Sequence, residues 1–102
     1  MKLSSNQRKF LEALANRIDP VIRIGKMGLE SKIVSSVADA FKTHELIKIK
    51  ILETAPVSKE EVVDAIIKDT KAHLIKVIGR VIIIYKAFDD QPPVIQLPDP
   101  KS

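Results

Sequence analysis

Apolar side chains recur along this chain with two different periods, and the changes between them predict helices and strands. Spacings of three and four residues predict amphipathic helices, and strict alternation predicts strands with one buried face. The predicted helices cover residues 4–16, 31–43 and 59–71, and the predicted strands cover 21–24, 46–52, 73–78 and 81–86. The last two strands flank a Gly-Arg pair, which is typical of a tight hairpin.

Capping residues and prolines set where these elements begin and end. Ser4 with Gln7, and Ser58 with Glu61, have the spacing of capping boxes at the start of the first and third helices. Pro20 ends the first helix, since the residue before a proline is excluded from the α region. The predicted buried positions are Leu3, Phe10, Leu11, Leu14 and Ile18; Ile33, Val34, Val37, Ala38 and Phe41; Ile47, Ile49 and Ile51; and Val62, Val63, Ile66 and Ile67.

The order of elements, α-β-α-β-α-β-β, predicts an α/β fold with a mixed four-stranded sheet and helices packed on it. Strand-helix-strand connections join parallel strands through right-handed crossovers, whereas the closing hairpin is antiparallel. If both crossovers run in the same direction, the second and third helices share one face of the sheet. The first helix is then left to cover an edge or part of the other face. The last strand is apolar on both sides and is expected in a central position.

Length and composition favour one small domain. At 102 residues the chain suits a single domain, predicted over residues 1–88, and the proline-rich residues 89–102 are expected to form an extended or disordered tail. The absence of cysteine excludes disulfides and thiolate metal sites. Neither a signal peptide nor an apolar run of membrane-spanning length is visible, so we expect a cytoplasmic protein that contacts no membrane.

The net charge of +4 is distributed unevenly along the chain. Residues 1–26 hold six basic and two acidic side chains, whereas residues 27–102 hold eleven of each, so the whole excess lies in the first quarter. This segment leads directly into Gly25-Lys26-Met27-Gly28, a Gly-x-x-Gly turn between the first strand and the second helix. A polyanion that docks at the turn would account for the distribution.

The Gly-x-x-Gly turn is therefore the candidate site. Glycine allows positive φ and close approach of a ligand to the backbone, and a helix that follows presents unpaired N–H groups to an anion. Arg23 and Lys26 add positive charge. Lys2, Lys9 and Asn16 recur every seven residues along one flank of the first helix, with Arg17 nearby. Taken alone, the four residues of the turn favour a plain strand-to-helix connection, and the helix flank is equally consistent with an ordinary solvated edge.

Several separated motifs strengthen the interpretation that the turn binds a nucleic acid. They are Leu3-Ser4-x-x-Gln7-Arg8, the run from Asp19-Pro20 to Leu29, the run from His44 to Lys50, Ile78-Gly79-Arg80 and Tyr85-Lys86. Together they resemble the CRM domain family (chloroplast RNA splicing and ribosome maturation), including its stand-alone bacterial YhbY-type form. Glu30 departs from the family pattern, which usually has Thr or Ser there to cap the helix; Ser31 is the alternative cap.

The resemblance implies a fold similar to the C-terminal domain of initiation factor three, and RNA binding through the glycine loop. It implies structured RNA of the precursor large ribosomal subunit as partner, and a role in ribosome assembly. The predicted RNA-binding residues are Arg23, Gly25, Lys26, Met27 and Gly28, with Lys2, Arg8, Lys9 and Arg17 before them and Lys48 and Lys50 on the second strand.

We expect a monomer without catalytic activity, cofactor, metal or small-molecule substrate. Ser35, Ser36, Asp39 and His44 supply the residue types of a hydrolytic triad, but no nucleophile turn accompanies them. The rival hypothesis is a protein-interaction module that uses an open sheet edge and the apolar residues 94–97 of the tail. Binding to double-stranded DNA is a weaker alternative, because no helix carries a base-reading set of Arg, Asn and Gln.

Overall fold

A computed structural model describes residues 2–101 and confirms the predicted order of elements. The helices are α1 (Ser5–Ala15), α2 (Ser31–Ala40) and α3 (Lys59–Thr70), and the strands are β1 (Ile22–Ile24), β2 (Leu46–Ile51), β3 (His73–Ile78) and β4 (Val81–Tyr85). The strand order across the sheet is β1-β2-β4-β3. β1 and β2 are parallel, and the β2–β4 and β3–β4 pairs are antiparallel. The sheet is therefore mixed, with the apolar β4 inside it as predicted.

Different elements cover the two faces of the sheet. Helices α2 and α3 pack against each other on one face, as predicted, above a core that includes Ile24, Ile47, Ile49, Val37, Val62, Ile82 and Ile84, all fully buried. Helix α1 lies on the other face, where Leu11 and Ala15 pack with Leu46, Ile75, Ile83 and Tyr85. Each fully buried isoleucine stabilises the fold by about 1.5–3 kcal/mol through removal of apolar surface from water.

The boundaries and burial of α2 differ in detail from the prediction. The helix ends at Ala40 rather than at residue 43, and residues 41–43 form a turn that leads into β2. Ala38 is exposed, not buried. The buried stripe follows Val37 and Phe41, four residues apart, with Ile33 and Val34 half-buried; Ala38 lies about 100° around the helix from Val37.

A lysine of β2 joins the end of α1 to the sheet. The Lys48 ammonium donates hydrogen bonds to the carbonyl oxygens of Ala15 and Ile18, at 3.0 and 3.1 Å. These carbonyls lie at and just beyond the end of α1, where carbonyl groups lack partners within the helix and where a positive charge is favourable. Lys48 therefore has a structural role in docking α1.

The rest of α1 is joined to β3. Arg8 Nη1 donates to the carbonyl oxygen of Leu74 at 2.6 Å, and Glu12 forms an ion pair with Lys76 at 3.0 Å. Helix α1 thus runs across the sheet from β3 to β2, and its direction is fixed at both ends. The charged groups of Arg8 and Lys48 are therefore both hydrogen-bonded to backbone carbonyls of the protein itself.

Two aromatic rings stack where β3 begins and β4 ends. His73 and Tyr85 are directly opposite, with ring centroids 6.3 Å apart. Burial lowers the pKa of His73 below its usual value of 6.5, and nearby positive charge, including that of Arg8, acts in the same direction. Burial, with a smaller contribution from the Glu45 carboxylate, raises the pKa of Tyr85. Both rings therefore favour their neutral forms at neutral pH.

The C-terminal segment from residue 89 to residue 101 has no helix or strand and lies extended against the domain. Glu45, which is 3% exposed, anchors it. The Glu45 carboxylate accepts hydrogen bonds from the backbone N–H groups of Phe88, Val94 and Ile95, at 3.3, 2.8 and 2.8 Å. Ile95 and Leu97 pack against the α1 core, and Gln7 Nε2 donates to the carbonyl of Pro98 at 3.0 Å. The apolar residues of the tail are thus used largely within the chain.

The Glu45 carboxylate predicts a measurable link between tail docking and stability. Glu45→Ala should lower the free energy of unfolding by about 2–3 kcal/mol, since hydrogen bonds to a charged group contribute about 1.5–3 kcal/mol each and the released tail N–H groups return to water. Urea denaturation measures this, with Glu53→Ala, at an exposed glutamate, as control. The effect should largely disappear in a chain shortened after residue 88; an equal loss in both chains would show that Glu45 acts independently of the tail.

Candidate nucleic-acid interface

Several loops meet at one end of the sheet. The parallel strands β1 and β2 end at the same edge, and the antiparallel β4 begins there, so the β3–β4 turn lies at this edge too. Backbone hydrogen bonds of 2.8 Å join Leu52 N–H to the carbonyl of Ile24 and Ile51 N–H to the carbonyl of Arg80. The neighbouring segments are the loop 25–28, the loop 52–58 before α3 and the turn 79–80.

Gly25-Lys26-Met27-Gly28 forms a β-turn in which the Gly28 N–H donates to the Gly25 carbonyl at 2.9 Å. Lys26 and Met27 occupy its two central positions, and both side chains are exposed, Met27 to 69%. Gly28 has a φ of +71°, so the turn requires glycine at its last position. Gly25 does not have positive φ, and the expectation that both glycines supply this conformation is wrong for Gly25.

The two glycines also differ in the space around them. A Cβ added at Gly28 would lie 3.3 Å from Pro56 Cγ, whereas one added at Gly25 would lie 3.6 Å from Leu52 Cδ1, an ordinary van der Waals distance. Gly28 therefore packs under the loop that precedes α3, and Gly25 has room for a small side chain. The lack of a side chain at Gly25 leaves the backbone of the turn open, whereas Gly28 supplies the left-handed conformation that the turn needs.

The start of α2 is less suited to an anion than the sequence suggests. Glu30 is the N-cap and Ser31 the first helical residue, so the alternative that Ser31 caps the helix is wrong. The Glu30 side chain makes no capping hydrogen bond, and its carboxylate lies 3.6 Å from the Lys32 ammonium. A carboxylate at this position opposes a phosphate at the positive end of the helix dipole. The positive charge available to a ligand comes mainly from side chains of the turn and the sheet.

Arg23 and Lys50 are directly opposite on β1 and β2, on the sheet face that α1 partly covers. Both are exposed, and within residues 2–101 neither side chain has an ion pair or a hydrogen bond. Like charges at directly opposite positions destabilise a sheet. Lys26 follows three residues after Arg23, in the turn. The structure thus brings three cations together without a carboxylate bonded to any of them in the described chain.

The remaining predicted residues separate into two groups. Lys2, Lys9 and Arg17 are exposed, and in the described part of the chain none of these side chains has a bonded partner. Arg17 follows the end of α1 that lies over β2, whereas Lys2 precedes the opposite end of the helix. Arg8 and Lys48, by contrast, donate to carbonyl oxygens of the protein itself.

Arg80 is a further exposed cation at this end of the sheet, and sequence reasoning did not include it among the candidate residues. It occupies the second position of the β3–β4 turn, after Gly79 with a φ of +56°, and its side chain is exposed and without a bonded partner among residues 2–101. Positive φ at the first of two turn residues is typical of type II′ hairpins, for which glycine is favoured. The order of elements could have indicated this position. Because β3 runs in the same direction as β1 and β2, the turn that follows β3 lies at the edge where β1 and β2 end.

Two residues of the candidate hydrolytic triad have neighbours outside it. Asp39 pairs with Lys42 at 3.2 Å, while His44 Nδ1 lies 2.8 Å from Thr43 Oγ1. No group of three or more His, Cys, Asp or Glu side chains in residues 2–101 is placed to hold a metal ion. None of the helices in this range is both long enough and apolar enough to cross a membrane.

Comparison with known proteins shows a family match and similarity to proteins that are named as RNA-binding. The model of the CRS1/YhbY (CRM) domain family matches residues 3–86. An RNA-binding protein of Haemophilus influenzae is 33% identical over 96 residues, which are 94% of this chain and 95% of that protein. The probable RNA-binding protein YqeI of Bacillus subtilis is 31% identical over 84 residues, covering 82% of this chain and 88% of its own length.

A solved structure has the same fold. The solution structure of a Staphylococcus aureus protein, described as hypothetical and as a candidate RNA-binding protein, superposes with a TM-score of 0.75 at 32% identity. The superposition covers 95% of this chain and all of the other. The match to the family model ends at residue 86. Because the Haemophilus and Staphylococcus matches cover 94% and 95% of this chain, both extend into the C-terminal segment.

The different roles of the two glycines can be tested by stability measurements. Gly28→Ala should lower the free energy of unfolding by about 1–2 kcal/mol, the cost of a left-handed conformation for a residue with Cβ. Gly25→Ala, the matched control, should leave it within about 0.5 kcal/mol. Urea denaturation of both variants measures the difference. Equal stabilities would contradict the positive φ at Gly28.

Proposed function

The chain belongs to the CRS1/YhbY (CRM) domain family, and on this premise we propose that it binds RNA through the Gly25–Gly28 loop and the cations around it. The observation that carries the proposal is the Arg23–Lys50 pair, two unneutralised cations directly opposite on neighbouring strands, with Lys26 in the adjacent turn. The target is structured RNA of the precursor large ribosomal subunit, and the protein acts in ribosome assembly as a cytoplasmic monomer without a cofactor.

Binding a phosphate backbone relieves the repulsion between Arg23 and Lys50. In the free protein the two charges face each other across parallel strands, separated by about 4.8 Å in the hydrogen-bonding direction. A phosphate placed between them attracts both, and each phosphate neutralised releases condensed counterions from the RNA. The affinity should therefore fall steeply as the salt concentration rises.

Besides the cationic side chains, the turn offers two backbone N–H groups as hydrogen-bond donors. The N–H groups of Lys26 and Met27 make no hydrogen bond within residues 2–101, and the residues lie at the exposed tip of the turn. Gly25 leaves the backbone accessible because it has no side chain. An RNA phosphate can accept hydrogen bonds there while the Lys26 ammonium pairs with the same or the next phosphate. Met27 supplies apolar surface beside them.

The exposed flank of α1 extends the surface. Lys9 lies three residues before Glu12 and seven before Asn16, so the three share one side of the helix. Glu12 pairs with Lys76 of β3, which directs this side toward the part of the sheet that α1 leaves uncovered. We include Lys9 and Arg17, and Lys2 as a more distant contact. Arg8 and Lys48 are left out because their charged groups bind backbone carbonyls of the protein.

The rival function, a protein-interaction module, loses its main support. Ile95 and Leu97 of the tail pack against the α1 core, and the backbone of the tail is bound by Glu45. Val94, which is 77% exposed, is the large apolar side chain of residues 94–97 that stays open to a partner. A single exposed valine is normal on a protein surface.

Removal of one cation in the loop and one in the strand before it tests the proposed surface. Arg23→Ala combined with Lys26→Ala should weaken binding to purified bacterial large-subunit ribosomal RNA about tenfold and reduce the slope of log affinity against log salt by about 1.5–2. Lys68→Ala, on the exposed side of α3 and the opposite face of the molecule, is the matched control and should bind normally. Fluorescence anisotropy over a range of salt concentrations gives both quantities. Normal affinity of the double variant would place RNA binding elsewhere on the chain.

The ribosomal target needs a separate experiment. Crosslinking of the protein to RNA in cells, followed by sequencing of the bound RNA, should enrich precursor large-subunit RNA, and the Arg23→Ala and Lys26→Ala double variant should lose this enrichment. Enrichment of other RNA classes would contradict the ribosomal assignment while RNA binding itself remained supported.

A further inference from the structure

Helix α1 leaves the end of one sheet face uncovered, next to the glycine loop. The last row of side chains on this face has one residue from each strand, in the order Arg23, Lys50, Val81 and Ile78, and adjacent members are directly opposite in the register. We refer to these four residues as the open row. The row before it includes Lys48 and Ile83, which contact α1 or its core, so coverage of this face stops between the two rows.

The open row combines positive charge with exposed aliphatic surface. Ile78 is 50% exposed although it lies within a strand, and Val81 beside it is half-buried. Val21, two residues before Arg23 on the same face of β1, is 47% exposed. With Met27 in the turn, three of the four large apolar side chains recorded as exposed in residues 2–101 surround these cations. Such clustering differs from the scattered apolar residues of an ordinary surface.

Arg80 is not part of the open row. It precedes Val81 in the hairpin turn, its backbone carbonyl accepts a hydrogen bond from the N–H of Ile51, and its side chain lines a pocket with Ser58 and Lys59 at the start of α3. The cations of the row itself are therefore Arg23 and Lys50. Three inter-strand spacings of about 4.8 Å make the row about 14 Å wide.

This combination selects for a particular form of RNA. The cations fit phosphates, which every RNA presents, but the aliphatic side chains need an apolar surface to bury. In an A-form duplex the base faces are stacked inside and the outside presents phosphates and hydroxyls. An unpaired segment exposes base faces together with its phosphates, and four-stranded sheets of other folds hold two or three such bases.

We infer that the open row forms a second RNA subsite, which takes an unpaired stretch of RNA as it passes the glycine loop. Arg23 and Lys50 contact phosphates, and bases lie on Ile78 and Val81. The inference rests on the proposed function and adds to it a preference: the protein binds RNA with an unpaired segment in favour of a continuous duplex.

Two single substitutions separate the two components of the subsite. Ile78→Thr keeps a β-branched residue on an edge strand, so the fold is retained, but it removes apolar surface. It should weaken binding to a short single-stranded RNA of mixed sequence about fivefold, with an unchanged salt slope. Lys50→Gln should lower the salt slope by about 0.7, the contribution of one phosphate contact on a single strand. Anisotropy titrations between about 50 and 200 mM salt measure both.

A blunt duplex of the same sequence and a control variant complete the design. Ile78→Thr should leave affinity for the duplex unchanged, and Val94→Thr, which removes an exposed valine far along the tail, should leave all affinities unchanged. Equal losses on single strand and duplex, or no loss on the single strand, would overturn the subsite. The latter result would instead favour a protein partner for the aliphatic pair.

Failure of the subsite is distinguishable from failure of the proposed function. If the Arg23→Ala and Lys26→Ala double variant loses RNA while Ile78→Thr binds normally, the glycine loop is the site and the subsite is wrong. If the unmodified protein binds neither the single-stranded RNA nor the duplex, both proposals fail.

Discussion

The alternation of side chains along β2 is the constraint on which the rest of the structure depends. Ile47, Ile49 and Ile51 are buried under α2 and α3, while Lys48 and Lys50 project to the other face. Shifting the register of β2 by one residue would exchange the two sets, with isoleucines in solvent and lysines in the core. Burial of three isoleucines therefore fixes the register with both neighbouring strands, and with it the position of α1, which Lys48 binds.

That register also determines which loops meet at the end of the sheet that carries the candidate site. Because β1 is parallel and β4 antiparallel to β2, the glycine loop, the loop before α3 and the hairpin turn share one edge. The glycine loop is held between β1 and α2, and Gly28 packs under Pro56, so the candidate site is positioned before any ligand arrives. Preorganisation of this kind reduces the conformational entropy lost on binding.

Coverage of the second sheet face is shared between α1 and the C-terminal segment. Glu45 lies immediately before β2 and binds the backbone of the segment, so its apolar residues complete the core beneath α1. Both covering elements lie toward the β2 start and the β4 end, where Leu46 and Tyr85 are opposite. The far end of this face stays open, with Arg23 and Lys50 exposed there. One face of a single sheet thus carries both a packed core and two exposed cations.

The sequence by itself determined the elements, their order, the sheet type and the location of the charge excess, because hydrophobic period, capping residues and turns are local properties. It also indicated Arg23, Lys26 and the glycine turn as candidate RNA-binding residues. Only the tertiary structure decided what distant groups do with each other. It assigned Lys48 and Arg8 to backbone carbonyls, placed Arg80 beside the start of α3, and bound the tail to Glu45. These outcomes depend on strand register and helix direction, which bring together residues far apart in the chain, and no local pattern specifies which carbonyl or carboxylate a long side chain or a backbone N–H will meet.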